Sequence, residues 1–273
     1  MRSSKKGDKL QELETERNLR LILGPTAESL KTEMQDWSGC KNVQRVAEKA
    51  RAKTKDRGDA LIPPRAARAV LLESCWADNE ILAEYLSGVL AASQSGNAGG
   101  DGGVMWTSLI GRLASDQLAI HWAIYTSAHK RIRNIEYDSV FEAIDEQFVV
   151  DVVSIIRKFG WELNHWRAIT RLYEAMYGLE RESLLKNFSY GPPEFLGKEC
   201  VYTEGRSYPL DRVLMTFSLT PHGAGLLLQA IGLSDPWLGD FISRSEVTER
   251  IDSVADLPQF DPAKFVSAFP ESS

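Results

Sequence analysis

LILGPTAESLKTEMQDW, residues 21–37, and LIPPRAARAVLLESCWADNEILAEYLSGVLAAS, residues 61–93, bound the stretch that decides the fold. In the second, Ile81, Leu82, Tyr85, Leu86, Val89 and Leu90 recur at i, i+3, i+4 and i+7, the strongest helical pattern in the chain. Asp78 stands where a helix N-cap belongs. Pro63-Pro64 opens the preceding helix, which turns Ala66, Ala69, Val70 and the Glu73-Ser74 end toward its neighbours. In the first segment Gly24-Pro25 ends a helix over 10–23, and Pro25 suits the first turn of the next because its missing N–H has no partner there. That next helix runs to about residue 57, bends near Ser38-Gly39, puts Val43, Val46, Ala47 and Ala50 on one face, and has Gly58 as its C-cap. SQSGNAGGDGG, residues 93–103, has five glycines in eleven positions and reads as a flexible surface loop. Helices over 105–113 and 115–130 complete a first helical domain, 20–132, behind a polar start at 1–19.

The pattern pauses at 132–137. Asp138 then caps a long helix to about Phe159, with Val140, Phe141, Ile144, Phe148, Val152, Ile155 and Ile156 as its buried stripe. Helices over 161–177 and 179–188 follow. After them KECVYT (198–203) and RVLMTFSL (212–219) alternate with period two, the latter placing Val213, Met215, Phe217 and Leu219 on one face. EGRSYPLD supplies turn residues between them, so the pair reads as a β-hairpin. Thr220 and Pro221 then serve as N-cap and first-turn residue of a helix through Leu233. The sequence therefore predicts a mainly α protein. Its N-terminal helical array precedes a winged-helix-like α+β module with a short β-hairpin, residues 138–235. The last forty residues hold three Lys/Arg against eight Asp/Glu with several prolines, which predicts an acidic, partly extended tail over 236–273.

Composition narrows the function. With 43% hydrophobic and 26% charged residues among 273, the chain is long enough to bury a core and ordinary for a globular protein. No apolar run reaches the ~18 residues of a membrane span; GAGLLLQAIGL (223–233) is short and contains Gln229. The charged start MRSSKKGDKLQELETERN lacks the apolar block of a signal peptide, so the expected location is the cytoplasm. Cys40, Cys75 and Cys200 lie far apart in sequence, which fits reduced, buried thiols better than a disulfide frame or a zinc site. Residues 1–58 carry 14 Lys/Arg against 9 Asp/Glu, leaving 18 against 29 for the rest. Any anion-binding face is thus local and N-terminal.

Sequence spacing reveals no catalytic set, metal site or cofactor motif. His121 and His129 are eight residues apart on one helix, about 12 Å, and neither has a ligand-type residue at i+3 or i+4. His165 lies beside Trp166, and His222 falls in the first turn of a helix; all four histidines read as structural. There is no Gly-x-Ser-x-Gly elbow, and the glycine loop lacks the Gly-Lys-Ser/Thr ending that cradles phosphate. One arrangement stands out. Lys41, Arg45, Lys49, Lys53 and Arg57 recur every four residues and form a winding cationic ridge with only Glu48 and Asp56 nearby. It is either a solvated helix face or a grip for nucleic-acid phosphate, an acidic partner or the chain's own acidic tail. Residues 165–219 balance seven Lys/Arg against seven Asp/Glu, which gives the winged module no electrostatic footprint for a duplex and favours protein contact.

Three segments together resemble the abortive infection alpha (Abi-alpha) family. They are Leu-Gly-Pro-Thr-Ala-Glu at 23–28, Ile62-Pro63-Pro64 with ARAVLLESCWADNEILAEYLSGVLAAS, and FSLTPHGAGLLLQA at 217–230. The resemblance covers roughly 20–235. It departs from the family pattern at Tyr85 and in its longer glycine loop. It implies membership of a bacterial group in which an infected cell limits phage spread at its own expense, and it brings no catalytic residues. The expectation is a non-enzymatic interaction protein of anti-phage defence, with a protein partner or self-association and no small-molecule substrate. The alternative is a nucleic-acid-binding regulator using the basic helix 41–57 or the winged module.

Overall fold

The computed structural model describes residues 2–54, 61–94, 101–133, 135–162, 166–199, 212–233, 236–254, 256–260 and 266–267. The protein is mainly α-helical and divides into two compact units: residues 1–115 with 228–236, and 116–227 with 237–273. The division falls earlier than the pause at 132–137, and the chain re-enters the first unit near its end.

The first unit is a helical array. It comprises α1 (Arg2–Leu23), α2 (Thr26–Ser29), α3 (Lys31–Ser38), α4 (Lys41–Lys53), α5 (Pro64–Ser74), α6 (Glu80–Ala92) and α7 (Gly102–Ile110). The bend expected at Ser38-Gly39 is a full break between α3 and α4. Pro64 occupies the first turn of α5, whose inner face is Ala66, Ala67, Val70, Leu71 and Ser74. Ala67 and Leu71 take the place expected for Ala69. Asn79, one residue beyond Asp78, caps α6 by accepting the Leu82 N–H at 2.9 Å. Nearly all of α6 is buried, so it is the central rod of this unit. Val43, Val46, Ala47 and Ala50 are buried as their spacing predicts. Gln229 and Ala230 come back against α6 so closely that a Cβ at Gly88 would lie 1.8 Å from the Ala230 carbonyl oxygen. Gly58 and most of the glycine loop lie outside the described residues.

The second unit mixes helices with a sheet. Its elements are α8 (Ser115–Ile132), α9 (Val140–Asp145), β1 (Gln147–Asp151), α10 (Val152–Lys158), α11 (Trp166–Arg181), β2 (Lys186–Gly191), α12 (Pro193–Glu199), β3 (Leu214–Ser218), α13 (Pro221–Ala230, whose last three residues belong to the first unit), α14 (Asp240–Ser243), α15 (Ser245–Asp252) and β4 (Val266–Ser267). The strands form one antiparallel sheet in the order β2-β3-β1-β4. Phe148 pairs with Phe217, and Tyr190 with Met215.

Several sequence expectations change here. The long helix 138–159 is interrupted by β1, because β-branched Val149 and Val150 suit a strand and Asp151 starts a new helix by accepting the Ser154 N–H at 2.8 Å. Ser139, not Asp138, caps α9, its hydroxyl accepting the Glu142 N–H. The helix expected over 179–188 stops at Arg181: Ser183 takes φ 59°, and the Leu184 N–H closes onto the Leu179 carbonyl at 2.8 Å, a left-handed helix stop. The chain then enters β2. Consequently β3 pairs with β2 and β1 instead of with 198–203. Lys198 and Glu199 belong to α12, while residues 200–211 lie outside the described residues. All five β3 residues are buried, so its apparent one-sided alternation conceals a strand covered on both faces.

The acidic segment also folds. Phe241, Val247 and Ile251 are buried, and His129 Nδ1 lies 2.6 Å from the Phe241 carbonyl. Acidic composition marked the outer faces of α14 and α15, while the three apolar residues anchor them. Among the described residues, no helix is long and apolar enough to cross a membrane.

Candidate functional site

The cationic ridge lies on α4, which packs against α6. Lys41 is exposed. Arg45 Nη2 donates to the Ala77 carbonyl, and Lys49 Nζ sits 2.5 Å from Glu80 and 2.9 Å from Glu84. Lys53 Nζ meets Glu84 Oε1 at 2.6 Å and donates to the Glu84 carbonyl, Ser87 Oγ and the Ala230 carbonyl at 3.0, 3.0 and 2.8 Å. Arg57 lies outside the described residues. Glu84 is only 1% exposed, which makes this a buried ionic cluster. Burial alone would push its carboxyl up; the ammonium of Lys53, then that of Lys49, outweighs burial and holds it below the usual carboxylate range. Burial likewise opposes the charge on Lys49, and Glu80 and Glu84 overcome it, raising that ammonium above its ordinary value. Three of the four described cations of the ridge thus bind within their own unit.

The histidines are placed structurally. His121 Nε2 is 3.0 Å from the Gly223 carbonyl, and its ring stacks 4.4 Å from that of Tyr125. Complete burial pushes it down to about 3, against the pull of the Gly223 carbonyl, so it is neutral. Tyr125 donates to the Leu184 carbonyl at 2.6 Å and accepts the Thr220 N–H at 3.0 Å. Thr220 caps α13 as predicted, accepting the Gly223 N–H at 2.9 Å. Burial also lowers His129 and His222. His165 lies outside the described residues. Among the described residues, no group of three or more His, Cys, Asp and Glu is placed to hold a metal ion.

The surface that sequence reading missed is aromatic. Tyr173 and Tyr177 are one turn apart on α11, and Phe188 and Tyr190 share a face of β2 by their period of two. Tyr173 stacks on Tyr190 with centroids 3.8 Å apart. Phe188 lies 6.0 Å from Tyr190 and meets Tyr177 edge-on at 5.0 Å. Tyr177 is 52% exposed, and Trp166, seven residues before Tyr173 on the same stripe, is 80% exposed. At the far end of β2 the Phe195 ring approaches Gly191 and is itself exposed. Burial, then the neighbouring Tyr190 and Tyr177 hydroxyls, pushes Tyr173 up to about 12, which keeps it a neutral donor. Two nearby cations are paired: Lys186 with Asp145, and Arg171 with Asp116 while its guanidinium covers Trp161 at 4.4 Å. The alternation Phe188-Ser189-Tyr190 was the available signal, hidden because the preceding LERESLL continues a helical pattern.

No family model, curated protein or solved structure matches the chain.

Proposed function

We propose that the protein is a non-enzymatic interaction protein of bacterial anti-phage defence, of abortive-infection type. Its partner surface is the aromatic stack of α11 and β2. The observation that carries the reading is the four-ring stack of Tyr173, Tyr190, Phe188 and Tyr177 continuing to an exposed edge. Exposed tyrosines with locked rings offer large contact area at small entropic cost and concentrate binding energy. The resemblance of 23–28, 62–93 and 217–230 to the Abi-alpha family supplies the biological setting.

A nucleic-acid-binding regulator is the second reading, favoured by the same stack, since aromatic faces also hold unpaired bases. In it, the exposed Lys41 end of α4 or a winged-helix-like use of β3 and α13 would contact the strand.

Phage plating separates the readings. Cells expressing the wild-type protein should show reduced plaque numbers, and Tyr177→Ser/Tyr190→Ser, verified as folded by its thermal melt, should restore them. Equal plating with and without the wild-type protein rejects the defence role. Full protection by the folded double variant rejects the aromatic surface. A gel shift with single-stranded RNA that disappears in the variant selects the second reading.

A further inference from the structure

The sequence separates Cys40 and Cys75 by 35 positions, yet the fold of the first unit ties the N-terminus of α4 to the C-terminus of α5 and sets the Cys40 sulfur near enough to Cys75 to raise its thiol. Both residues are half-exposed, contrary to the expectation of buried, isolated thiols. Cys40 is the N-cap of α4, with extended backbone at φ −89° and ψ 114°, and Cys75 is the C-cap of α5. Two ties hold these helix ends together. Asn42 Nδ2 donates to the Cys75 carbonyl at 2.9 Å, and Arg45 Nη2 donates to the Ala77 carbonyl. Each tie lies within five residues of a sulfur, so the pair is held in place by atoms other than its own. The Cys75 thiol also donates to the Leu71 carbonyl at 3.6 Å. Trp76, 74% exposed, marks the solvent side of this corner. Cys200 lies outside the described residues.

We propose that Cys40 and Cys75 form a reversible disulfide, a peroxide-responsive staple between the N-terminus of α4 and the C-terminus of α5. The chemistry needs one hydrogen peroxide. The Cys40 thiolate attacks a peroxide oxygen, the O–O bond breaks, and hydroxide leaves as water with the proton from Cys40, which becomes a sulfenic acid. The Cys75 sulfur then attacks the Cys40 sulfur, the S–O bond breaks, and a second water departs with the Cys75 proton. Two thiols lose two electrons to peroxide and yield one disulfide and two waters. Burial first, then the adjacent Cys40 sulfur, raises the Cys75 thiol above the ordinary range, so Cys75 is the poorer nucleophile toward peroxide and acts second, on the sulfenic sulfur beside it. The closed loop contains all of α4 and α5, so the bond restricts the unfolded chain and holds the ridge helix against its neighbour.

The test uses the full chain, reduced, freed of reductant and treated with stoichiometric hydrogen peroxide at pH 7. Alkylation with N-ethylmaleimide and non-reducing peptide mass spectrometry should find a Cys40–Cys75 linked peptide, with two of the three thiols protected. Dithiothreitol should restore both, and Cys200→Ser should form the same link. Cys75→Ser should instead accumulate a dimedone-reactive sulfenic acid at Cys40. The oxidised wild type should unfold at a higher urea concentration than the reduced protein. A link to Cys200, a link between two chains, a link formed only in urea, or no link at all overturns the proposal. So does a lowered urea midpoint, since a bond that strains the fold is not a staple.

Discussion

Replacing Lys53 by Met tests whether the buried cluster of α4 and α6 holds the first unit together. The change keeps side-chain length and removes one ammonium from a carboxylate that is 1% exposed. It also takes the donor from the Glu84 carbonyl, Ser87 Oγ and the Ala230 carbonyl at the end of α13. Removing one partner of a buried pair costs about 3–5 kcal/mol, because the remaining charge stays desolvated. Lys49 still faces Glu84, which places Lys53→Met near the lower end. Lys49→Met should cost about 1 kcal/mol, since Lys49 is more exposed and Lys53 still neutralises Glu84. Lys53→Met/Glu84→Met removes both desolvated charges and should recover most of the loss, a coupling of a few kcal/mol. Urea unfolding at pH 7 of wild type, both single Lys variants, Glu84→Met and the Lys53/Glu84 double variant gives these numbers. Glu84 is depressed in the folded state, so its contribution is present above the unfolded carboxyl value and disappears as pH falls through the folded one. The gap between wild type and Lys53→Met should therefore narrow in acid. If Lys53→Met costs no more than Lys49→Met, or the double variant equals the sum of its singles, the cluster reasoning is wrong.

Gly88→Ala should destabilise by about 1–3 kcal/mol, because its Cβ would lie 1.8 Å from the Ala230 oxygen and backbone must move; an unchanged thermal midpoint would contradict this. Tyr125→Phe leaves the buried Leu184 carbonyl and Thr220 N–H without their shared hydroxyl and should cost about 1–3 kcal/mol in urea unfolding. His121, held down to about 3, is neutral when folded, whereas the unfolded chain binds a proton near pH 6.5. Its contribution is therefore full above pH 6.5 and falls as pH drops toward 3, at roughly 1.4 kcal/mol per pH unit once the unfolded histidine is charged. The urea midpoint should decline between pH 6 and 4, and the His121 ring resonances should not titrate between pH 5 and 8.

Local signals in the sequence located most helices of the first unit, because they are packed by apolar positions at helical spacing. Leu86, Val89 and Leu90 are buried as that period requires, and Pro64 and Thr220 start helices for reasons internal to a few residues. The errors are tertiary. Phe148 fits a helical stripe as well as a strand, and pairing with Phe217, far along the chain, decides between them. Lys186–Gly191 becomes a strand because Ser183 stops α11 and β3 offers an edge, neither of which its own composition announces. Phe241 looked like one apolar residue in an acidic tail until its carbonyl met His129. The aromatic surface failed to show for the same reason: its four rings come from two elements whose contact depends on that helix stop.

The ridge shows how a surface pattern and a packing pattern share one sequence. Cations at i, i+4 on α4 meet carboxylates at i, i+4 on α6: Lys49 bridges Glu80 and Glu84, and Lys53 holds Glu84 from the other side. An i, i+4 row advances about 6 Å per step along its helix, so a one-turn slide of α4 against α6 moves each ammonium to the next carboxylate or beyond the last. Slide Lys53 past Glu84, and its ammonium leaves Ser87 and the end of α13 while Glu84 keeps only Lys49. The apolar packing of α4 on α6 would tolerate such a shift far better, since small aliphatic side chains such as the buried Val46 and Ala50 offer similar grooves one turn apart. The ionic cluster therefore contributes register more than net stability. That division explains why the double Met variant should recover unfolding energy, and it requires that variant to show broader amide resonances for α4 than the wild type.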